Sequence, residues 1–567
     1  MDFYLIDKPR ASVELTLSDG RIITGKRGGR LEDFVRVVQK PEDPLIVGAI
    51  LDGHLRELTY PIRQDGQATL LTMEDADGAR IYRRSLVFLL EVAFRSCFPE
   101  GELTIDHSVS SGGYYCQVSN LPNFGQEELD RIKVAMQDLV EQDVPFIRET
   151  VPLDEAIEYF KQAGEDDKVR LLKYRKRPDL VLYRAGETRD YHHGYMVPSS
   201  GYLKWFDFYL LDQAFIIRFP RRHAPSEVLP MENYPTLLKT FKEYGDWLTT
   251  LGIHSVGALN DAIQEGHIDE VILVSEALHE MQIAQIAAQI CSARDQVGVI
   301  LIAGPSSSGK TTFSKRLGIQ LLAKGITPFA LEMDNFFIDR DKTPFNADGH
   351  RDYESLRALD LVRLNRDLKA LMAGQEVQLP RYDFITGLST DGAKVQLNKG
   401  DVVILEGIHG LNPGLLTDID PKTTFRIYVS CLTQLNLDRH NRISTTDTRM
   451  LRRILRDSRD RGYSAADTIR RWEAVRAGEK FHIFPYQENA DVMFNSALAY
   501  ELTTLKPLVE PLLRQVPFGT MEHIEAKRLL KFLEWFLPTG TEYVPDNSIL
   551  REFIGGSILT NFELWTR

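Results

Sequence analysis

The segment at residues 297–318, VGVILIAGPSSSGKTTFSKRLG, restricts the fold more than any other part of this chain. An apolar, largely β-branched run is followed by a small polar turn, and the turn is followed by residues with helical spacing. The turn fits the pattern GxxxxGK[ST], in which Gly304 and Gly309 let the backbone wrap closely around an anion. The segment therefore predicts a buried strand, a phosphate-binding loop and a helix in immediate succession.

This loop offers both backbone and side-chain groups to a phosphate. Successive N–H groups and the N-terminus of the following helix supply positive potential. Lys310 is expected to reach the β- and γ-phosphates of a nucleotide, and the Thr311 hydroxyl is expected to bind Mg²⁺. The residues expected to bind the nucleotide are Gly304, Ser306, Ser307, Ser308, Gly309, Lys310, Thr311 and Thr312.

Length and charge limit the remaining possibilities. A chain of 567 residues exceeds what one hydrophobic core serves and predicts about three or four domains. A formal net charge of −13 argues against broad, sequence-independent binding to nucleic acid. The basic stretch KVRLLKYRKR at residues 168–177 is either a solvated helix face, which is the favoured interpretation, or a local nucleic-acid patch.

Two further absences in the sequence predict the compartment. Four cysteines without CxxC spacing favour neither a disulfide framework nor a zinc knuckle. The sequence opens without a basic-then-apolar leader, and no apolar run approaches the ~20 residues that span a bilayer. We therefore expect a cytoplasmic protein without membrane contact.

The hydrophobic pattern divides the chain into five parts and predicts a multidomain α/β fold. Short alternating runs around a Ser-Asp-Gly turn predict a small β-grasp-like domain, and an amphipathic helix opens an α+β domain after it. Apolar strand-like runs that alternate with helices predict a parallel sheet covered on both faces. The predicted parts are 1–75 (β-grasp-like), 76–225 (α+β), 226–295 (helical connector), 296–513 (parallel sheet) and 514–567 (helical extension).

Two strand-like runs in the predicted parallel sheet of residues 296–513 end in carboxylates. PFALEMD ends with Asp334, and DVVILEG ends with Glu406 and a glycine. Ligands in such folds lie at the carboxyl ends of the strands, so both side chains are expected beside the nucleotide. Asp334 is suited to act as the base that accepts a proton from an attacking hydroxyl, and Glu406 is suited to hold Mg²⁺ directly or through water.

A run of arginines follows in TRMLRRILRDSRDRG. On an ordinary helix these residues would form a solvated face, but beside a phosphate-binding loop a lid is the favoured interpretation, because guanidinium groups match the geometry and charge of a transferring phosphate. The arginines are Arg449, Arg452, Arg453, Arg456, Arg459 and Arg461.

Seven motifs make residues 297–496 similar to the uridine/cytidine kinase family, which belongs with phosphoribulokinase to a wider group. They are GPSSSGKTT, MDNFF, DYESLRALD, LPRYDF, DVVILEGIHG, RRILRDSRDRG and ENADV, in this order. The resemblance implies ATP with Mg²⁺, Asp334 as the catalytic base, and Glu354 as the acid that holds the ribose hydroxyls. It also places Tyr382 and Phe384 against the nucleoside. It further implies a lid of three arginines. Arg453 and Arg456 of this lid would act in catalysis with Lys310, and Arg461 would bind ATP.

Three positions depart from the pattern of that family. Its base-reading histidine is replaced by Gly387, its second lid arginine by Tyr463, and a nearby glutamine by Arg471. A guanidinium can donate two hydrogen bonds to a carbonyl-bearing edge and a phenol can donate or accept one. Tyr463 and Arg471 are therefore the candidates for reading the base, with base discrimination expected to differ from that of ordinary uridine kinases.

The first 225 residues resemble the N-terminal region of threonyl-tRNA synthetase. VELTLSDGRIITG through ATLLTMEDADG is similar to its TGS domain, and RRSLVFLLEVAFRSCFPEGELTIDHSVSSGGYYCQV through DYHHGYMVPSSG is similar to its second additional domain, an editing domain. Editing there depends on an HxxxH pair and a CxxxH pair. Those positions hold Arg84 and Phe88, and His192 and Met196, so the resemblance implies a degenerate editing site.

The expected function is phosphorylation of the primary hydroxyl of a nucleoside, uridine or cytidine above all. A second hypothesis keeps the chemistry but changes the acceptor to another small hydroxyl compound. A third is an RNA-associated regulatory protein that uses nucleotide binding as a switch. The strand-end carboxylates and the arginine lid favour catalysis, since a switch needs no acceptor base. For the N-terminal half, RNA and a small ligand remain the alternative partners, and the oligomeric state stays open.

Overall fold

The N-terminal sheet follows from strict alternation along its first strand. The structure, a computed structural model, describes residues 10–110, 112–232, 234–345, 349 and 351–563. Val13, Leu15 and Leu17 are buried on one face of a five-stranded sheet of order β2-β1-β5-β3-β4, and the Ser-Asp-Gly turn joins β1 and β2 as an antiparallel hairpin. The elements are β1 (Ser12–Leu17), β2 (Ile22–Lys26), α1 (Leu31–Val35), β3 (Ile46–Leu51), β4 (His54–Glu57) and β5 (Gly66–Thr72).

The second region has two antiparallel sheets and a long amphipathic helix. The apolar side chains of that helix pack with those of the next helix against a four-stranded sheet of order β11-β12-β7-β6, and a three-stranded sheet has the order β10-β9-β8. The elements are α2 (Ala76–Cys97), β6 (Glu102–Val109), β7 (Gly113–Ser119), α3 (Gln126–Glu141), β8 (Ile147–Pro152), α4 (Leu153–Gln162), α5 (Asp166–Leu172), β9 (Asp179–Ala185), β10 (Thr188–Asp190), β11 (Asp207–Leu211) and β12 (Ala214–Arg218).

Helices lead from this region into a parallel sheet. The sheet has the order β14-β17-β13-β18-β19, with every pair of neighbours parallel, as the apolar runs predict. The elements are α6 (Pro235–Thr250), α7 (Val256–Gln264), α8 (Ile268–Ser292), β13 (Val299–Ala303), α9 (Lys310–Ala323), β14 (Pro328–Glu332), α10 (Leu361–Met372), β15 (Val377–Asp383), β16 (Leu388–Val395), β17 (Val402–Glu406), β18 (Thr424–Ser430), α11 (Thr445–Asp460), α12 (Ala465–His482), β19 (Val492–Asn495) and α13 (Glu501–Arg514).

Both faces of the parallel sheet are covered. Successive side chains of a strand point to opposite faces, so Ile300 and Ile302 of β13 join one core while Val299 and Leu301 join another. Helix α10 packs against the second of these cores, and helices α8, α9, α11 and α13 pack against the first. The central strand β13 carries the loop of residues 304–309 at its carboxyl end, where α9 begins.

The last part of the chain folds back over the sheet region and the second region. It contains α14 (Met521–Leu533) and α15 (Arg551–Ile554). Its side chains join the same hydrophobic core as α7, α8 and the first face of the sheet, and that core also includes Phe160 and Leu172 of the second region. The helical segment 226–295 is therefore part of a shared core, not an extended linker. No helix in the described parts of the chain is long and apolar enough to cross a membrane.

A buried charge cluster joins the second region to the sheet region. Lys168 of α5 is completely buried and forms ion pairs with Asp190 and, at 2.6 Å, with Glu165. Asp190 also lies 2.8 Å from His440, which belongs to the loop before α11. The nearby carboxylates raise the pKa of Lys168 against the effect of its burial. The basic stretch 168–177 is therefore not a uniformly solvated face, because its first lysine compensates buried acids.

Replacing this lysine tests the importance of the cluster. We expect Lys168→Met to destabilise the fold by about 3–5 kcal/mol, because it leaves buried carboxylates without compensation. The matched control is Lys173→Met, whose ammonium is largely exposed and 3.5 Å from Asp261, and which should cost about 0–1 kcal/mol. Urea denaturation followed by circular dichroism measures both. Equal effects of the two substitutions would contradict a special role for Lys168.

Candidate active site

The loop after β13 has the close backbone approach that its glycines predict. A Cβ atom on Gly304 would collide with the carbonyl oxygen of Val429 on the neighbouring strand β18, so only glycine fits there. Gly309 has a φ of 86° and precedes Lys310, the first residue of α9. The backbone N–H groups of the loop and the N-terminus of α9 therefore face the carboxyl end of the sheet, where an anion is favoured.

A cavity of about 390 Å³ lies in front of this loop. It brings together residues from the loop, from the ends of β14 and β17, from helices α11 and α12, and from the C-terminal part of the chain. The sequence-predicted residues that line it are Ser306, Ser307, Ser308, Gly309, Lys310, Thr311, Asp334, Glu354, Phe384, Glu406, Arg453, Arg456 and Arg461. The predicted residues Gly304, Thr312, Tyr382, Tyr463 and Arg471 are not among the described residues that line it.

Two strand-end carboxylates share the cavity, and both have a raised pKa. The Asp334 side chain is open to the cavity, but protein surrounds it and partly removes its carboxylate from water. This desolvation, followed by the charge of Glu332, raises the pKa of Asp334. Burial raises the pKa of Glu406 to about 7, Lys310 opposes this, and the charges of Glu552 and Asp334 add to it. The cavity therefore holds excess negative charge that a bound cation would neutralise.

Oxygen atoms at the end of β17 and in the first turn of α9 fit a magnesium ion. The Thr311 hydroxyl lies 3.2 Å and 3.4 Å from the two carboxylate oxygens of Glu406. Mg²⁺ prefers oxygen ligands, takes one or two of them from protein and completes its shell with water and phosphate. The raised pKa of Glu406 is a second sign that the position favours a cation.

Glu354 lines the same cavity as these groups. Burial raises its pKa to about 7, and the charge of Glu479 contributes in the same direction while Arg453 opposes it. A carboxylate of this kind accepts hydrogen bonds strongly when it is ionised, so Glu354 is suited to hold neighbouring hydroxyl groups.

Helix α11 divides its arginines between structural and cavity positions. Arg449 and Arg452 are buried, and each is held by a carboxylate: Glu479 for Arg449, and Glu501 at 2.6 Å for Arg452. Arg459 pairs with Asp460 at 2.6 Å and donates to the carbonyl oxygen of Glu552 at 2.9 Å. These three arginines do not line the cavity, so the expectation of a lid applies at most to the others.

The remaining three arginines face the cavity around one buried carboxylate. Asp457 lies 3.1 Å from Arg453, 3.5 Å from Arg456 and 3.3 Å from Arg461. Arg453 also donates to the Ser306 hydroxyl at 2.7 Å. Asp457 is a positioning residue that the sequence analysis missed, although its i, i+4 spacing from two of the arginines could have indicated it.

Comparison with known proteins decides the family of this part of the chain. Residues 299–502 match the model of the Phosphoribulokinase / Uridine kinase family. This region is a P-loop kinase domain of that family. Solved structures similar to the chain include a possible uridine kinase from Bacillus stearothermophilus, with 22% identity, 35% of this chain and 89% of that chain covered and a TM-score of 0.24. D-glycerate 3-kinase from Cryptococcus neoformans has 16% identity, with 47% and 89% covered and a TM-score of 0.21.

Curated relatives of the N-terminal part are threonine--tRNA ligases. The ligase from Polaromonas naphthalenivorans is 36% identical over 161 residues, which are 28% of this chain and 25% of the relative. The ligase from Paraburkholderia phytofirmans is 37% identical over 161 residues, with the same coverage of 28% and 25%. The chain thus spans about a quarter of the length of the curated relatives it matches. A synthetase-like region is fused to a kinase domain.

The acceptor side of the kinase domain differs from the sequence-based expectation. Tyr382 is buried behind Phe337 and Phe384, with ring centroids 5.5 Å and 5.0 Å away, and Phe337 and Phe384 line the cavity in its place. Tyr463 and Arg471 pair with each other, with the Arg471 guanidinium 4.0 Å from the centre of the Tyr463 ring. The structure therefore does not bring the two candidate base-reading residues to the cavity.

The position of the missing histidine is filled by another residue. Gly387 has a φ of 75°, and a Cβ atom there would lie 2.6 Å from Nε of Arg340. The Arg340 guanidinium is fixed by the carbonyl oxygens of Phe384 and, at 3.5 Å, of Ile385. A histidine at 387 would therefore strain the backbone and displace Arg340, so a single substitution does not recreate the side chain that the family uses there.

The synthetase-like region places its remaining histidine among acids. His192 and His193 follow β10 in a loop and not in a strand, so both can reach neighbouring cavities. His192 Nε2 is 3.6 Å from Glu91 and 3.9 Å from Asp190, and burial lowers its pKa to about 3. The sequence analysis missed both acids: Glu91 lies about a hundred residues away on α2, and Asp190, only two residues before His192, belongs to no recognisable motif. Phe88 and Met196 are buried in the hydrophobic core.

Glu552 is the least expected residue of the kinase cavity. Its carboxylate accepts hydrogen bonds from the backbone N–H and the hydroxyl of Thr312, at 3.2 Å and 2.9 Å. Ile549, three residues earlier, lies 2.5 Å from where a Cβ atom of Gly309 would be. The C-terminal part of the chain thus covers the phosphate-binding loop from 240 residues away, and no local pattern in the sequence indicates this contact.

Substitution of Glu552 should change nucleotide binding. Its carboxylate occupies donors at the N-terminus of α9 that would otherwise be open to phosphate. We expect Glu552→Ala to lower the Kd of the domain for ADP roughly 3- to 10-fold, which corresponds to about 0.6–1.4 kcal/mol. Calorimetric titration measures this, with exposed Asp546→Ala on the same segment as the control. Weaker binding by the Glu552 variant would instead assign this carboxylate to holding the nucleotide or its metal.

Proposed function

We propose that this chain is an ATP-dependent kinase that transfers the γ-phosphoryl group to the primary hydroxyl of a ribonucleoside. The observation that carries the proposal is the cavity in front of the loop of residues 304–309, in which a lysine, arginines and two differently placed carboxylate groups converge. A nucleotide switch needs phosphate contacts only, whereas transfer also needs a base and a site for the acceptor. Asp334 and Glu354 supply these additional groups.

The residues have separate roles in the proposed transfer. Lys310 at the start of α9 would contact the β- and γ-phosphates, and Arg453, Arg456 and Arg461 would stabilise the charge that develops on the transferred group. Asp334 would accept the proton of the attacking hydroxyl, for which its raised pKa makes it a stronger base. When Mg²⁺ is bound, it neutralises charge on the β- and γ-oxygens, and Thr311 with Glu406 would hold it.

The acceptor would lie between Glu354 and the aromatic pair Phe337 and Phe384. Ionised Glu354 accepts hydrogen bonds from two adjacent hydroxyls, which matches the 2′ and 3′ positions of a ribose. The aromatic rings offer a planar apolar surface to a base, and shape with apolar contact discriminates only about 10–200-fold. We therefore expect a broad range of bases or a preference not shared by ordinary uridine kinases.

A second candidate is a kinase of another small hydroxyl compound. The observation that favours it is Arg340, which occupies the place beside Gly387 and leaves that position without a side chain for reading a base. The family that matches residues 299–502 includes phosphoribulokinase by its description, so its acceptors are not all nucleosides.

The experiment that separates the two candidates is ATP turnover against a panel of ribonucleosides, deoxyribonucleosides and sugar phosphates. Phosphorylation of ribonucleosides and weak activity on deoxyribonucleosides is the expected result, because Glu354 needs both ribose hydroxyls. Turnover of a sugar phosphate or another alcohol, with every nucleoside inactive, would keep the kinase assignment and reject the nucleoside.

Two substitutions test the assignment of catalytic roles. Lys310→Ala should remove most transfer activity, since its charge acts on the departing phosphoryl group. Asp334→Asn should lower kcat by roughly 10²–10⁴-fold while ATP binding persists, because the amide cannot accept the hydroxyl proton. Single-turnover assays with a separate measurement of ATP binding distinguish these effects. Near-normal turnover by Asp334→Asn would place the base elsewhere.

The pH profile tests the role of Glu354. Its pKa of about 7 means that the side chain is neutral below pH 7 and ionised above it. With saturating ATP and Mg²⁺, which keep Glu406 ionised, kcat/KM for the acceptor should rise about tenfold per pH unit up to pH 7 and then level off. Glu354→Gln should lower kcat/KM and flatten this limb. A limb that persists in the variant would assign the titration to Asp334.

A further inference from the structure

A second cavity lies in the synthetase-like half and holds an excess of positive charge. It has a volume of about 350 Å³ and is lined by nine arginines and lysines but only three aspartates and glutamates, although the whole chain carries a net charge of −13. Small-molecule sites typically have cavities of about 300–1,000 Å³. The cavity therefore has the size of a ligand site and a charge opposite to that of the protein.

Four parts of the chain that are distant in sequence build this cavity. The β3–β4 hairpin contributes Arg56, helix α2 contributes Arg84, and the C-terminal helix α14 contributes Lys527 and Lys531. The stretch after α5 contributes Arg175. Convergence from independent elements is not expected of a solvated basic face, which lies on one element.

These five cations have no carboxylate partner in the described parts of the chain. Among the described residues Arg56, Arg84, Arg175, Lys527 and Lys531 form no ion pair; Arg84 donates to the carbonyl oxygen of Tyr195 at 2.6 Å, and Arg175 stacks on Trp535 at 4.9 Å. Of the three acids of the cavity, Asp77 pairs with Arg80 at 2.8 Å and Glu534 pairs with Arg177 at 2.6 Å, which leaves the single carboxylate of the exposed Asp179 against five cations. Positive charge therefore remains uncompensated.

The titration behaviour of the lining agrees with this geometry. Partial desolvation by the surrounding protein, followed by the charges of Lys527 and Arg177, lowers the pKa of Lys531. Burial lowers the pKa of Arg84 to about 10, and the charges of Arg528 and Arg80 act in the same direction. Lys527 and Lys531 are also one turn apart on α14, where like charges repel. Folding therefore holds these cations together against their mutual electrostatic repulsion, and a bound polyanion would remove that repulsion.

We propose that this cavity binds a small polyphosphorylated metabolite. Phosphate oxygens accept several charge-assisted hydrogen bonds at once, and arginine and lysine are the residues that recognise them. A chain of phosphate groups supplies the several negative charges that the five unpaired cations require. The site is separate from the kinase cavity and does not depend on the proposed kinase reaction.

The C-terminal helix favours a small ligand over an RNA end. Helix α14 forms one wall of the cavity and is tied to the synthetase-like region by Arg80–Glu525 at 2.9 Å and by Arg177–Glu534. A polynucleotide that entered from this side would have to displace α14 and break both ion pairs. A compact ligand can instead use Lys527 and Lys531 of the same helix.

Calorimetric titration with sodium tripolyphosphate tests the proposal on the full chain. The kinase cavity is unchanged in the cavity variant, so the difference in heat between the variant and the unmodified chain reports the second cavity. The variant is Lys527→Gln with Lys531→Gln, both exposed residues, and the matched control is Lys239→Gln with Lys242→Gln, two exposed lysines on α6. We expect the control to bind as the unmodified chain does and the cavity variant to bind about tenfold or more weakly.

Further measurements identify the source of the phosphate groups. Guanosine triphosphate that binds more tightly than tripolyphosphate indicates a nucleotide, and equal affinity indicates recognition of the phosphates alone. Equal tripolyphosphate binding by the cavity variant and the control overturns the proposal. Tighter binding of a short single-stranded RNA, lost in the cavity variant, overturns it in favour of RNA. Kinase turnover in the same variants is a separate readout, because neither lysine lines the kinase cavity.

Discussion

Two arginines buried in helix α11 organise the nucleotide-binding end of the kinase domain. A buried guanidinium without a partner is very unfavourable, so Arg449 requires Glu479 of α12 and Arg452 requires Glu501 of α13. Arg449 also donates to the carbonyl oxygen of Ser306 at 2.9 Å, which ties the phosphate-binding loop to the same network. The pairs fix three helices around the loop, and the next turn of α11 then presents its arginines to the cavity.

The C-terminal part of the chain connects the two halves of the molecule. Helix α14 forms a wall of the basic cavity, and its Arg528 pairs with Asp447 in the first turn of α11 at 2.7 Å. Farther along, Glu552 contacts the start of α9 at Thr312. One segment therefore borders both cavities and contacts the arginine helix through ion pairs, which makes the synthetase-like region and the kinase domain parts of one packed structure.

Local patterns predicted the parts of the site that are close in sequence. The order of strands and helices, the loop from Gly304 to Gly309 and the strand-end carboxylates Asp334 and Glu406 are readable because period and spacing are properties of a continuous segment. The exclusion of Tyr463 and Arg471 from the cavity was not predictable in this way. Whether Arg471 of α12 and Tyr463 just before it face the cavity depends on how α12 packs against α11. A sequence motif does not contain that information.

The sequence by itself determined the parallel sheet of the kinase domain and its phosphate-binding loop, and its resemblance to the synthetases predicts a degenerate editing site at Arg84 and Met196. Only the tertiary structure decided which charges are compensated. Lys168 and Arg452 are neutralised in the interior by acids from distant elements, whereas Lys527 and Lys531 are left together at a cavity. The physical reason is that electrostatic energy depends on distance and burial in three dimensions, which the order of residues along the chain does not specify.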